Sequence, residues 1–175
     1  MIPFVLETFI SAPREDVFDF VGDLANRVSW LDHFQSEYHL TRTRTVGLGA
    51  AARYRSDPPF GRQLYTGLAV EEFERPRRIV ERGGSGRLGR TLVQAVWDFE
   101  ADGPRQTTVR LEFETNPVNR VEAMKERFGS RLWHKRQYKV ALERLRIIFE
   151  ERPEGELARA TIAAYEPLKA PRFGS

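Results

Sequence analysis

An α+β fold, a seven-stranded antiparallel sheet covered by one long C-terminal helix, is predicted by three observations. Strand-like stretches fill residues 37–116 and are separated by short Gly/Pro turns with no helical stretch between them, which makes a sequential antiparallel meander. Its clearest strands are apolar on one face only, so the sheet needs a cover. An apolar seam at helical spacing then runs from beyond Asn116-Pro117 to about Arg152 and supplies it.

Taken in order, Phe4 to Ser11 sets Phe4, Leu6, Thr8 and Ile10 against Val5, Glu7, Phe9 and Ser11, a strand with unequal faces. Ser11-Ala-Pro ends it and starts a helix: proline suits the first turn, and Glu15 and Asp16 suit the positive end of the dipole. Val17, Phe18, Phe20 and Val21 form the apolar face of that helix. A second short helix over about Asp23–Leu31 places Leu24, Val28 and Leu31 on one stripe beside Trp30. The meander follows as Tyr38–Thr45, Ala51–Ser56, Gln63–Phe73, Arg78–Arg82, Thr91–Glu100 and Thr107–Thr115, with Gly83-Gly84-Ser85-Gly86 as a flexible tip. Trp97 and Phe99 share one face with Val93 and Ala95; Leu111 and Phe113 share another with Val109. The helical stretch carries Val121, Met124, Phe128, Leu132, His134, Tyr138, Ala141, Leu145 and Ile148, with Gly129 as a kink. From Ser130 to Glu151 it reaches about 33 Å, enough to cross a whole sheet. Pro153 and Gly155 stop it, and Glu156 to Ser175 reads as a turn or two of further helix before coil. The expected division is one domain over 1–152 and a tail over 153–175.

The composition narrows the chemistry. The 175 residues contain no cysteine, which removes disulfides, thiolate metal sites and a cysteine nucleophile. His33, His39 and His134 show no HxH, HxxxH or HExxH spacing, so no metal site is expected. No GxSxG elbow surrounds a serine. Gly83-Gly84-Ser85-Gly86-Arg87-Leu88-Gly89 joins two strands and lacks lysine, so it is a hairpin tip and not a phosphate loop. Of 28 basic residues only Lys125, Lys135, Lys139 and Lys169 are lysines, and acids are interleaved with them to a net charge of +3. That pattern gives no clustered face for specific nucleic acid. The first ten residues lack the basic start and clean apolar run of a signal peptide, and no apolar run nears the roughly 18 residues of a spanning helix, so a cytoplasmic location is expected.

The order of elements, with particular residues, resembles the START/Bet v 1-like (SRPBCC) superfamily and within it the polyketide cyclase/dehydrase-like group. The matching pieces, over about residues 4–150, are Ser11-Ala12-Pro13 with Val17-Phe18, the region of Trp30, Val46-Gly47-Leu48-Gly49, Val70-Glu71-Glu72-Phe73 leading to Pro76-Arg77-Arg78-Ile79, Trp97-Asp98-Phe99-Glu100, and Thr107-Thr108-Val109. The resemblance implies a helix-grip fold: a curved sheet wrapped around the long helix with a hydrophobic cavity between them. It implies a small hydrophobic ligand and, for a minority of members, cyclisation or dehydration of polyketides. It implies no cofactor.

Alternation places Tyr54, Trp97, Phe99, Leu111 and Phe113 on the inner sheet face, and helical spacing places Met124, Phe128, His134 and Tyr138 opposite them. These residues are candidates to line the cavity, with core filling as the alternative for each. Trp30, Asp32 and His33 cluster near one expected mouth, although Asp32 is badly placed to orient its immediate neighbour. His134 is the best candidate acid/base because it lies on the seam and an unperturbed histidine titrates near neutrality. Tyr54, Tyr65 and Tyr138 would hydrogen-bond a carbonyl gaining enolate character, which makes His134 and Tyr138 the catalytic candidates should the chain be an enzyme. The parity of Arg78–Arg82, and so the face of Glu81, is left open. Three functions compete: binding of a lipid, polyketide or quinone-like molecule by a monomer or homodimer; a cyclase, aromatase or dehydratase; and an interaction protein docking RNA or protein through Arg75, Arg77, Arg78, Arg82, Arg87 and Arg90 or the arginines of the long helix.

Overall fold

The structure is a computed structural model and describes residues 2–59, 63–86, 89–117, 129–151 and 157–162. Strand β1 (Phe4–Ile10) is followed by α1 (Arg14–Gly22), a 3-10 turn (Leu24–Arg27) and α2 (Val28–Leu31). Strands β2 (Ser36–Leu40), β3 (Ala51–Ser56), β4 (Leu64–Glu74), β5 (Arg78–Ser85), β6 (Thr91–Gly103) and β7 (Gln106–Asn116) come next, and α3 (Arg131–Glu150) closes the order. The seven strands form one antiparallel sheet in the order β1-β7-β6-β5-β4-β3-β2. This is the meander read from the turn chemistry, with β1 returning to pair with the last strand.

The apolar faces meet where the alternation puts them. Phe4, Ile10, Val93, Trp97, Phe99, Leu111 and Phe113 are buried on the concave side, against Tyr138, Ala141, Leu142 and Leu145 of α3. The fully buried part of the helix seam therefore starts at Tyr138, with His134 stacked on Phe113 one turn earlier. Leu132, expected on the seam, is 69% exposed because six residues at 100° each carry it about 120° around the helix from Tyr138. Gly129 and Ser130 enter α3 through a π-type turn, and Met124 and Phe128 lie outside the described residues.

Several expected boundaries move. The second helix splits, with Asp23 capping the 3-10 turn by accepting from the Ala25 N–H at 3.0 Å. The strand expected to run to Thr45 ends at Leu40 after a bulge between Ser36 and His39, where Glu37 takes a φ of +51°. Gly83 and Gly84 are no flexible tip: both lie within β5 and pair with β4 and β6. A Cβ would stand 1.8 Å from the Gly67 carbonyl oxygen on Gly83 and 2.3 Å from that of Gly89 on Gly84, so both glycines serve close approach of neighbouring backbone. The tail is also not helical where described. Residues 157–162 run extended, the Leu40 N–H donates to the Thr161 carbonyl at 2.9 Å, and Ile162 bridges Leu40 in parallel. Arg159 holds this strap by donating to Asn26 Oδ1 and Asp23 Oδ2, both at 2.6 Å.

Candidate functional site

The concave core contains one polar island. Arg27, at the end of the 3-10 turn, and Glu81, in β5, are 2% and 4% exposed and form an ion pair from Arg27 Nη2 to Glu81 Oε1. The Arg27 Nε–H donates to the Val21 carbonyl at 3.1 Å, and the Trp97 indole N–H donates to Glu81 Oε2 at 3.4 Å. The guanidinium lies over two indoles, 4.8 Å from the Trp97 ring and 5.2 Å from that of Trp30, a cation–π arrangement strengthened by desolvation. Trp30 and Trp97 meet edge to face at 5.6 Å.

Beside this pair is a cavity of about 20 Å³ lined by Arg27, Glu81, Tyr38, Tyr54 and Tyr138 with aliphatic neighbours. A single water needs roughly 10–15 Å³, so the cavity has room for about one. The Tyr138 hydroxyl donates to the Tyr54 oxygen, and Tyr54 also meets the Thr66 hydroxyl. Thr66 Oγ1 also lies 2.8 Å from Ser85 Oγ, so the hydroxyls of Tyr138, Tyr54, Thr66 and Ser85 form one linked row. Sheet register explains the chain: Tyr54 faces Thr66 across β3 and β4, and Thr66 faces Ser85 across β4 and β5. Burial pushes all three tyrosine hydroxyls well above the ordinary phenol range. They are hydrogen-bonding groups here and not bases.

The predicted site residues divide. Tyr54 and Tyr138 line the cavity, Trp30 and Trp97 flank the Arg27–Glu81 pair behind it, and Phe99, Leu111 and Phe113 are buried core. Tyr65 faces the other side of the sheet, with its hydroxyl on Glu37 Oε2 at 2.8 Å and Arg53 stacked on its ring, because it neighbours inward-facing Thr66. His33 does not line the cavity but ties α2 to α3: its Nε2–H donates to the Gln137 carbonyl at 3.2 Å and its Nδ1 accepts from Arg144 at 2.9 Å. His134 also stands outside the cavity lining. It stacks on Phe113 at 5.3 Å, and its Nδ1–H donates to the Ser130 carbonyl at 2.8 Å.

Burial pushes the His134 imidazole down to about 4 from 6.5, so it is neutral and weakly basic at pH 7. The unfolded chain takes up a proton near pH 6.5 that the folded chain refuses until about pH 4. The resulting stability is complete above the unfolded value and is lost as pH falls through the folded one. His134→Phe is expected to reduce the slope of stability against pH between 6.5 and 4, read from urea midpoints; an unchanged slope contradicts this burial.

Arg27 and Tyr38 line the cavity without having been singled out from the sequence, and Glu81, whose face the pattern left open, turns inward beside them. Arg27 interrupts the apolar stripe Leu24, Val28, Leu31, and an arginine on an apolar stripe is the available signal. Glu81 is hidden because Ile79 and Val80 before it are both apolar and both buried, so the pattern of β5 does not mark which face is inward. Three of the arginines named for a docking surface are paired with acids: Arg75 with Asp19, Arg78 with Glu72 and Asp98, and Arg82 with Glu71; Arg87 lies outside the described residues. Among the described residues no three His, Asp or Glu side chains converge to hold a metal, and no helix is long and apolar enough to cross a membrane.

Residues 1–150 match the family model described as "Polyketide cyclase / dehydrase and lipid transport". The chain belongs to this family. Its sheet wrapped on α3 is the helix-grip architecture of the START/Bet v 1-like superfamily, and solved structures share it at low identity. Zhui aromatase/cyclase from Streptomyces sp. R1128 is 13% identical, with a TM-score of 0.67 over 86% of this chain and 94% of that one. The KanY protein is 18% identical, at 0.69 over 85% and 97%. Major latex-like protein 151 from Panax ginseng is 7% identical, at 0.62 over 85% and 97%. At these identities the likeness concerns the fold. No curated protein matches the sequence.

Proposed function

We propose that this family member binds a small hydrophobic or amphipathic molecule, of lipid, polyketide or quinone type, between the sheet and α3. Its polar end would lie toward Arg27, Glu81, Tyr54 and Tyr138. The observation that carries this reading is the polar island itself. An ion pair and linked hydroxyls sit around a cavity inside an otherwise apolar core, the mixture by which apolar pockets fix orientation. A core selected for stability alone is served as well or better by hydrophobic residues of similar volume.

Ligand-sized pockets measure roughly 300–1,000 Å³, so a cavity of about 20 Å³ is the closed form and binding must part its walls. Tyr38 and Leu68, half-buried lining residues at the edge of the core, would be the side chains to swing outward. Native mass spectrometry of protein purified from its own host tests this reading. A stoichiometric small molecule of apolar character is expected, whereas a clean apo mass with no uptake of added apolar probes would overturn it.

A cyclase or aromatase activity is the second reading, favoured by the hydroxyl chain from Tyr138 to Ser85. Here the tyrosines would support a carbonyl as it gains enolate character, with Glu81 as the nearby carboxylate. The two readings part at Tyr138→Phe, which in the enzyme retains binding while losing turnover.

A further inference from the structure

The charge balance around the cavity sets which ligands it can accept. Arg27 and Glu81 are buried side by side and cancel. Their three tyrosine neighbours stay protonated, so the polar island has no net charge. Two of the five N–H groups of Arg27 serve Val21 and Glu81, and the guanidinium lines the cavity with donors to spare. Both Glu81 oxygens already accept, one from Arg27 and one from Trp97.

A carboxylate entering here would gain Arg27 only in competition with Glu81, and would stand beside that like charge at low dielectric. An ammonium would meet Arg27 in the same way. An uncharged ligand with a carbonyl or similar acceptor oxygen takes a spare N–H without disturbing the pair. Resting on the binding reading above, we infer that the cavity selects an uncharged, acceptor-bearing apolar molecule and rejects its carboxylate and amine analogues, with the Arg27–Glu81 pair as the specificity determinant. Truncating either member should therefore change the sign of ligand preferred, which a merely structural ion pair would not do.

A matched set of probes tests this on the full-length chain: 2-acetylnaphthalene, 2-naphthoate and 2-(aminomethyl)naphthalene, titrated by calorimetry. The unmodified protein is expected to bind the ketone at least about tenfold more tightly than either ion, since an uncompensated buried charge is costly. Glu81→Gln should shift preference toward naphthoate by about tenfold or more, and Arg27→Met should shift it toward the amine. If one variant does not fold, the other carries the test, and the preference of the unmodified protein stands by itself. Equal or tighter binding of an ion by the unmodified protein, or the same probe ratios in folded variants, overturns the inference while leaving the binding reading in place. Failure of all three probes to bind overturns the binding reading and this inference with it.

Discussion

Replacing Glu81 by alanine is expected to destabilise the fold by about 3–5 kcal/mol, because it strands a buried guanidinium without its counter-ion. Arg27 is 2% exposed, and its carbonyl partner Val21 and the two indoles around it cannot neutralise a full charge. The indole N–H of Trp97 loses its acceptor in the same step. Urea unfolding of the variant measures the loss. The control is the double variant Arg27→Met with Glu81→Leu, which removes both charges at similar volume and is expected to lie close to the unmodified protein or above it. A loss below about 1 kcal/mol for Glu81→Ala would show that the pair is hydrated, and the closed polar island would have to be abandoned.

Trp97→Ala should cost a similar amount, about 3–5 kcal/mol, for a different reason. Trp97 is 1% exposed and packs behind the Arg27–Glu81 pair. It meets Trp30 and Tyr138 edge to face, carries Arg27 on its ring, and donates to Glu81. Its removal leaves a void next to the existing cavity, so the variant, once folded, should take up small apolar probes faster than the unmodified chain. Trp97→Phe keeps an aromatic wall but lacks the N–H, and its cost should be smaller. Near-equal costs for the two variants would place the energy in the hydrogen bond to Glu81 and not in packing.

The path from residues to fold was legible where periodicity acts undisturbed. Val93, Ala95, Trp97 and Phe99 alternate cleanly because β6 is paired on both sides, and a period of two then fixes the buried face. The long helix announced itself by its seam from Tyr138 to Leu145, while Leu132 shows how a seam read by hydrophobicity alone drifts off the helix face. The site was only half legible. Tyr54, Trp97 and Tyr138 are aromatic and in phase, so pattern reading finds them. Arg27 and Glu81 violate the apolar pattern of their own elements, and recognising them requires knowing that each will meet the other 54 positions away in sequence. His134 gives the converse lesson. Its place on the helix was right for an inward residue, but the carbonyl one turn earlier and the Phe113 ring take up its polar edge and its face, leaving little for chemistry.

The most direct test of the central claim uses the three tryptophans of the chain, Trp30, Trp97 and Trp133, as reporters of where a ligand enters. Two-dimensional ¹H–¹⁵N spectra recorded during titration with 2-acetylnaphthalene resolve their indole N–H signals. Trp97 and Trp30, which enclose Arg27, are expected to shift most and to saturate together at one equivalent, while Trp133, packed against Phe34 on the α3 side, moves little. Shifts confined to Trp133, or gradual non-saturating shifts of all three, would contradict a ligand site between the sheet and α3.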